Sequence, residues 1–263
     1  MRRLIALVFL LLASNGVSAA TFDASHAAWN GLVESHVKWT SDGSASVVDY
    51  AGFESDRKKL QGYLSSASAV PEATFSRWAK ADRIAFLINV YNAATVELVL
   101  TKYPDLKSIK DIGGLFGSPW KKDVLNLLGN ERSLDGIEHD LIRGAADFDE
   151  PRIHFAVNCA SIGCPALRPE AYVGSRLDSQ LGDQANRFLR DRSRNHYAAG
   201  PGLKVSKIFD WYGKDFEAHA GGVNHFLAGH ADALGLDKAA TTKLESDDLP
   251  ISYSDYDWKL NAE

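Results

Sequence analysis

Beyond Met1 this 263-residue chain has no methionine, and it holds only two cysteines, Cys159 and Cys164. Without thioethers the chain suits an oxidising compartment, and with two cysteines any intrachain disulfide has only one possible pairing. Basic charge is also scarce. Twenty-nine Lys and Arg stand against 34 Asp and Glu, which argues against nucleic acid and anionic membrane surfaces, both of which call for clustered positive charge. The sequence has no GxGxxG, and the run Gly113-Gly114-Leu115-Phe116-Gly117 lacks the lysine-hydroxyl pair of a phosphate-binding loop, so it reads as a plain loop closed by Pro119 and Trp120. Internal repeats and low-complexity linkers are absent too.

What is present starts with a leader. Arg2 and Arg3 precede the apolar run Leu4 to Ala13, and Val17-Ser18-Ala19 supplies the small residues of a cleavage site. That run is far short of the roughly 20 residues of a membrane span. The expectation is a signal peptide over residues 1–19 and a periplasmic or secreted mature chain from Ala20, with no cysteine placed for a lipid anchor and no later span. Losing Arg2 and Arg3 leaves 27 basic residues against 34 acidic ones, a formal charge of −7.

Periodicity predicts an α+β fold in a single domain over 20–263: a buried central helix packed on a small, mostly antiparallel sheet, with several peripheral helices. Arg83 to Leu100 is apolar on most faces and is the central helix. Phe53 to Leu64, Ser133 to Arg143 with Ser133 as N-cap, Leu177 to Arg190 and Asn224 to Leu234 read as further helices. The alternation from Arg152 to Val157 reads as a strand, as does Leu203 to Trp211, and Ile251 to Leu260 is an aromatic tail.

Chemistry concentrates in RIHFAVNCASIGCPAL, residues 152–167, which holds both cysteines and His154. Cys159 and Cys164 either form a local disulfide that shapes the turn between them, exchange reversibly, or leave Cys159 as a thiol nucleophile activated by a neighbouring imidazole. For the last reading the catalytic candidates are Cys159, with His139 or His154 as base and Glu138, Asp140 or Asp210 as the orienting carboxylate. Amide or thioester hydrolysis, or acyl transfer, is the matching reaction class. A zinc site of His139, His154, Cys159 and Cys164 has suitable ligand types, but its spacing fits no common zinc pattern, so neither metal nor cofactor is expected. Asn89 and Asn92 share one face of the apolar helix, and with Asn158 they are candidate binding residues, lining a pocket or bracing a loop. The competing class is a non-enzymatic binding or assembly module with a structural Cys159–Cys164 disulfide, taking a small-molecule or peptide ligand.

The segments AFLINVYNAATVELVL, SIKDIGGLFGSPWKKDV, LDGIEHDLIRG, DEPRIHFAVNCASIGCPALRPEAY, VSKIFDWYGKDF and DYDWKL resemble domain-of-unknown-function family 547, which occurs in bacteria and plants. The resemblance reaches from about Asp82 to Phe216, with a further match near the C-terminus. It puts Asn89, Tyr91, Asn92, Glu138, His139, His154, Asn158, Cys159 and Cys164 at motif positions, and Leu87 stands where many relatives carry tryptophan. The chain is also more weakly similar to papain-like and transglutaminase-like folds, in which a buried helix packs on a sheet whose strand carries the catalytic histidine; here the usual cysteine at that helix's N-terminus is missing.

Overall fold

The computed structural model describes residues 22–114, 117–145, 147–198 and 202–263. The leader expected over residues 1–19, and Leu115 and Phe116 of the glycine-rich loop, lie outside them. The N-terminal half runs α1 (Ala27–His36), β1 (Val37–Trp39), β2 (Ser46–Val48), α2 (Tyr50–Ser55), α3 (Arg57–Ser68), α4 (Glu72–Phe75) and α5 (Lys80–Leu100). Next come β3 (Asp123–Leu127), β4 (Asn130–Ser133), a π-helix (Gly136–Ile142) and a 3-10 turn (Pro151–Phe155). The C-terminal part holds α6 (Leu177–Arg190), β5 (His196–Ala198), β6 (Gly202–Val205), α7 (Ile208–Trp211), α8 (Gly213–Ala220), α9 (Val223–Ala228), α10 (Ala231–Leu234), α11 (Lys238–Glu245) and β7 (Ile251–Tyr253).

The α+β class expected from the sequence holds. Among the described residues the strands form three small sheets rather than one: the antiparallel pairs β1-β2 and β3-β4, and a three-stranded sheet in which β5-β6 is antiparallel and β6-β7 parallel. Every residue of α5 from Ile84 to Val96 is buried. A helix without a solvent face belongs at the centre of a core, and α5 packs on α2, α3, the π-helix and β3. By length and composition α5 could cross a membrane, which corrects the expectation that no later stretch is apolar enough; 89% of its most apolar window is buried inside the protein.

Among the described residues two apolar clusters form the core. One surrounds α5, and the other gathers Phe188, Phe209, Phe216 and Phe226 from α6 to α9. The 3-10 turn lies where they meet, since Ile153 belongs to the first and Phe155 to the second. This turn replaces the strand expected over Arg152 to Val157. Pro151 fixes the first turn position, and the Glu150 carboxylate accepts the Arg152 N–H at 3.1 Å, a helix-start arrangement that overrides the alternating pattern. Consequently Ile153, His154 and Phe155 are all buried, where a strand would have put His154 on the opposite face. The strand expected from Leu203 also stops early, at Val205, because the Ser206 hydroxyl accepts the Ile208 N–H and starts α7. Asn224 to Leu234 is split into α9 and α10 at Gly229 and His230.

Buried histidines give this core an acid limit. Burial pushes His26 from 6.5 down to about 4, and burial lowers His154 and His230 as well. As pH falls below 6.5, the unfolded chain takes up a proton that native His26 refuses, so stability is lost across the window from 6.5 to about 4. His26 alone should contribute about 3 kcal/mol to that loss. Urea midpoints measured across the window should fall steeply, and His26→Asn, which suits the left-handed backbone at this position (φ 53°), should flatten the fall. An equal fall in the variant would exclude His26 as a source.

Candidate functional site: an aromatic cleft at the disulfide

A cleft of about 220 Å³ opens where the two clusters meet. The π-helix and the 3-10 turn contribute Asp135, Glu138, His139 and His154 to its lining, the disulfide loop contributes Cys159 and Cys164, and Trp120, Trp211, Tyr212, Tyr256 and Trp258 add aromatic surface. Tyr91 of α5 lies behind them.

The π-helix begins where Ser133 was expected to cap: its hydroxyl accepts the Gly136 N–H at 3.1 Å. The wider winding shows in the Arg143 N–H, which reaches five residues back to the Glu138 carbonyl at 2.9 Å. Single π turns of this kind are frequent at functional sites. Glu138 is buried and accepts the Tyr212 hydroxyl at 2.7 Å. Burial first, and then Glu138, hold the Tyr212 and Tyr91 hydroxyls protonated well above the usual tyrosine range.

His154 is 2% exposed, and its Nε2 lies 2.8 Å from Oδ2 of Asp215 on α8. Arg143 grips the same carboxylate with Nε on Oδ2 at 2.6 Å and Nη2 on Oδ1 at 2.9 Å. That hydrogen-bonded guanidinium, with His154, holds Asp215 well below the usual carboxylate range. Burial lowers His154, so the ring is neutral near pH 7. A carboxylate can only accept, which places the imidazole proton on Nε2 and leaves Nδ1 bare. Nδ1 is buried and has no partner among the described residues. The ring stacks on Tyr212 with centroids 3.8 Å apart. His139 differs from it: its side chain is 40% exposed, and its Nδ1 accepts from Arg143 Nη1 at 2.8 Å.

Cys159 and Cys164 are joined as a disulfide, with sulfurs 2.10 Å apart. The C-terminal tail clamps the intervening loop: the Ile162 N–H donates to the Lys259 carbonyl and the Gly163 N–H to the Asp257 carbonyl, each at 2.8 Å. Gly163 is needed here, because a Cβ would lie 2.9 Å from the Tyr256 ring. The buried Arg194 donates to the Ile162 and Cys164 carbonyls from the other side.

The structure thus brings Glu138, His139, His154, Cys159 and Cys164 to one cleft. It does not bring Asn89, Asn92 and Asn158 to the cleft wall. Asn89 exchanges two hydrogen bonds with the Tyr172 backbone (2.7 and 3.0 Å), Asn92 spans the Ala156 carbonyl and the Asn158 N–H (3.0 and 2.8 Å), and Asn158 holds the Pro165 carbonyl and the Ala160 N–H (2.7 and 2.9 Å). Their amides brace the loops that build the site. The orienting carboxylate of His154 is Asp215; Glu138 is bonded to Tyr212, Asp210 pairs with Lys207, and Asp140 faces Arg132. Asp215 sits in the segment VSKIFDWYGKDF, and that shared motif was the available signal for it. With His154 in a turn, the strand on which the papain-like resemblance relied is absent. The sulfurs a zinc site would use are bonded to each other, and among the described residues no three His, Cys, Asp or Glu side chains are grouped to hold a metal ion.

No curated protein and no solved structure matches this chain. Residues 75–189 match the family model described as "Protein of unknown function, DUF547", a stretch that contains α5, the π-helix, the 3-10 turn and both cysteines, while Trp211, Tyr212, Asp215, Tyr256 and Trp258 come from beyond it. Over that segment, less than half of the chain, it is similar to the DUF547 family.

Proposed function

We propose that this is an exported, extracytoplasmic binding protein whose cleft takes a small cationic ligand, a primary amine or a guanidinium, free or carried on a peptide. The observation that carries the reading is the bare, buried Nδ1 of His154, fixed as an acceptor by Asp215, beside a cleft whose described lining residues include two carboxylates and no Lys or Arg, with Lys110 and Arg143 lying over the Trp258 and Tyr212 rings. An acceptor and two carboxylates call for an N–H donor with positive charge, and ring faces add about 0.5–2 kcal/mol for each well-placed cation contact. At about 30 Å³ per water in the liquid, the cleft volume suits a ligand with the bulk of roughly seven waters. The disulfide beside the cleft favours an oxidising location.

Phenethylamine, agmatine and the matched carboxylate phenylpropionate test this by titration of tryptophan fluorescence, since Trp211 and Trp258 line the cleft. The amines should bind and the carboxylate should not, and Glu138→Gln, which still accepts the Tyr212 hydroxyl, should weaken the amines roughly tenfold. Equal binding of the carboxylate would sink the reading.

A second reading is favoured by the His154–Asp215 pair sharing the cleft with Cys159: thiol-dependent hydrolysis or acyl transfer on an amide or thioester. In it Cys159 would be the nucleophile, released by reduction, and His154 the base oriented by Asp215. A thioester that acylates Cys159 in the reduced protein and leaves the oxidised protein unlabelled would favour this reading over simple binding.

A further inference from the structure

We propose that Cys159–Cys164 is an exchanging disulfide, attacked by an external thiolate at Cys159 and releasing Cys164 into a preformed thiolate site. The two sulfurs differ in access. Cys159 is partly exposed on the cleft, whereas Cys164 is 5% exposed. They also differ in their donors. The Cys159 N–H points at the Cys164 sulfur from 2.9 Å, while the Tyr256 hydroxyl is shared, 3.1 Å from the Cys164 sulfur and 3.2 Å from that of Cys159. Burial keeps Tyr256 protonated as a donor. The Ser161 hydroxyl, 3.1 Å from the Cys159 sulfur and 3.6 Å from that of Cys164, can turn to either.

A disulfide sulfur is a weak acceptor and gains little from such donors; a thiolate gains much more, because hydrogen bonds to charged groups are the strong ones. These donors therefore favour the opened state, and the Cys159 N–H, which reaches the Cys164 sulfur alone, makes Cys164 the better leaving group. In the first step a thiolate RS⁻ forms a bond to the Cys159 sulfur, the Cys159–Cys164 bond breaks, and the electron pair leaves on Cys164. Return of Cys164 to the mixed disulfide restores the starting state. Attack by a second RS⁻ on the R sulfur of the mixed disulfide breaks its bond to Cys159 and gives RSSR and two protein thiolates, which take protons from solvent as their pKa values dictate, so that two electrons pass from the external thiolates to the protein.

The partner is a thiol, and the acidic cleft further selects one that carries positive charge. This last point rests on the cation reading of the cleft, whereas the exchange itself does not. Ile162, at the tip of the loop, and Trp211, on the cleft wall, are exposed large apolar side chains of the protein and leave room for a thiol borne on a peptide.

The experiment exposes the native, full-length mature protein to cysteamine or to 3-mercaptopropionate near neutral pH, quenches with acid and maps the mixed disulfides by peptide mass, with circular dichroism recorded alongside. The expected adduct is on Cys159 with the fold intact, and cysteamine should react about tenfold faster than the anionic thiol when rates are compared per thiolate, each scaled to its rate with a small model disulfide, since like-charge repulsion slows encounter. Tyr256→Phe should lower the equilibrium constant for reduction about tenfold. Reduction only after unfolding, or an adduct on Cys164, would overturn the exchange. Equal rates for the two thiols would leave the exchange standing and remove the cation reading of the cleft.

Discussion

Asn92→Ala should lower unfolding stability by about 4 kcal/mol, read as a shift in urea midpoint at unchanged slope. Asn92 is 2% exposed in the middle of α5, and both ends of its amide are used: Nδ2 donates to the Ala156 carbonyl, and Oδ1 accepts the Asn158 N–H. The substitution leaves a buried carbonyl and a buried N–H without partners, each costing about 1–3 kcal/mol, and adds a cavity the size of the lost amide. Asn92→Asp makes a sharper contrast. It keeps the acceptor for Asn158 but loses the donor and brings a carboxylate into the core, so it should cost at least as much. The damage should also travel. Asn158 immediately precedes Cys159 and holds the Pro165 carbonyl and the Ala160 N–H, so freeing its N–H loosens both ends of the disulfide loop, and reduction in Asn92→Ala should be faster than in wild type. A loss below about 1 kcal/mol would mean that water takes over both partners.

The same residue shows what periodicity can and cannot carry. The all-round apolar pattern found α5, which starts at Lys80 rather than Arg83, and the one-sided pattern found α6 to the residue. Two amides on one face of an apolar helix signalled buried partners, because buried amides must be satisfied; whether those partners were a ligand or a loop depended on chain segments more than 60 residues away. The alternation at Arg152 to Val157 misled for a related reason. Alternating apolar residues report which positions are buried, and a 3-10 turn wedged between two clusters buries consecutive positions just as well. The cleft was half legible. Glu138, His139, His154, Cys159 and Cys164 stood out by residue type within a short stretch of sequence. Asp215, Tyr256 and Trp258 did not, since a single Asp on an amphipathic helix and aromatics in a C-terminal tail look like ordinary surface and packing until the tail is seen clamped on the disulfide loop.

Asp215→Asn should reduce amine affinity roughly 100-fold, the worth of one hydrogen bond to a charged donor together with the donor set against it. Asp215 fixes the imidazole proton on Nε2 by accepting from it at 2.8 Å. Asparagine can keep its carbonyl oxygen on Arg143 Nη2 and turn its amide NH₂ toward His154, at the cost of the Arg143 Nε bond that shares Oδ2. Nε2 then becomes the acceptor, and the proton moves to Nδ1, so that the bare acceptor of the cleft becomes a donor facing an N–H donor. Nitrogen NMR of the histidine side chains reads this tautomer directly and should show the exchange. Loss of a charge from the Arg143 pair will also loosen α8 against the π-helix, and Arg143→Gln controls for that. This variant breaks the bidentate pair (2.6 and 2.9 Å) but leaves Asp215 to hold His154, so it should lose stability while keeping amine affinity within about threefold. Amine affinity that survives Asp215→Asn would detach ligand recognition from His154. Affinity that falls equally in both variants would make the Arg143–Asp215–His154 chain a brace for the cleft rather than the device that sets its hydrogen-bonding sense.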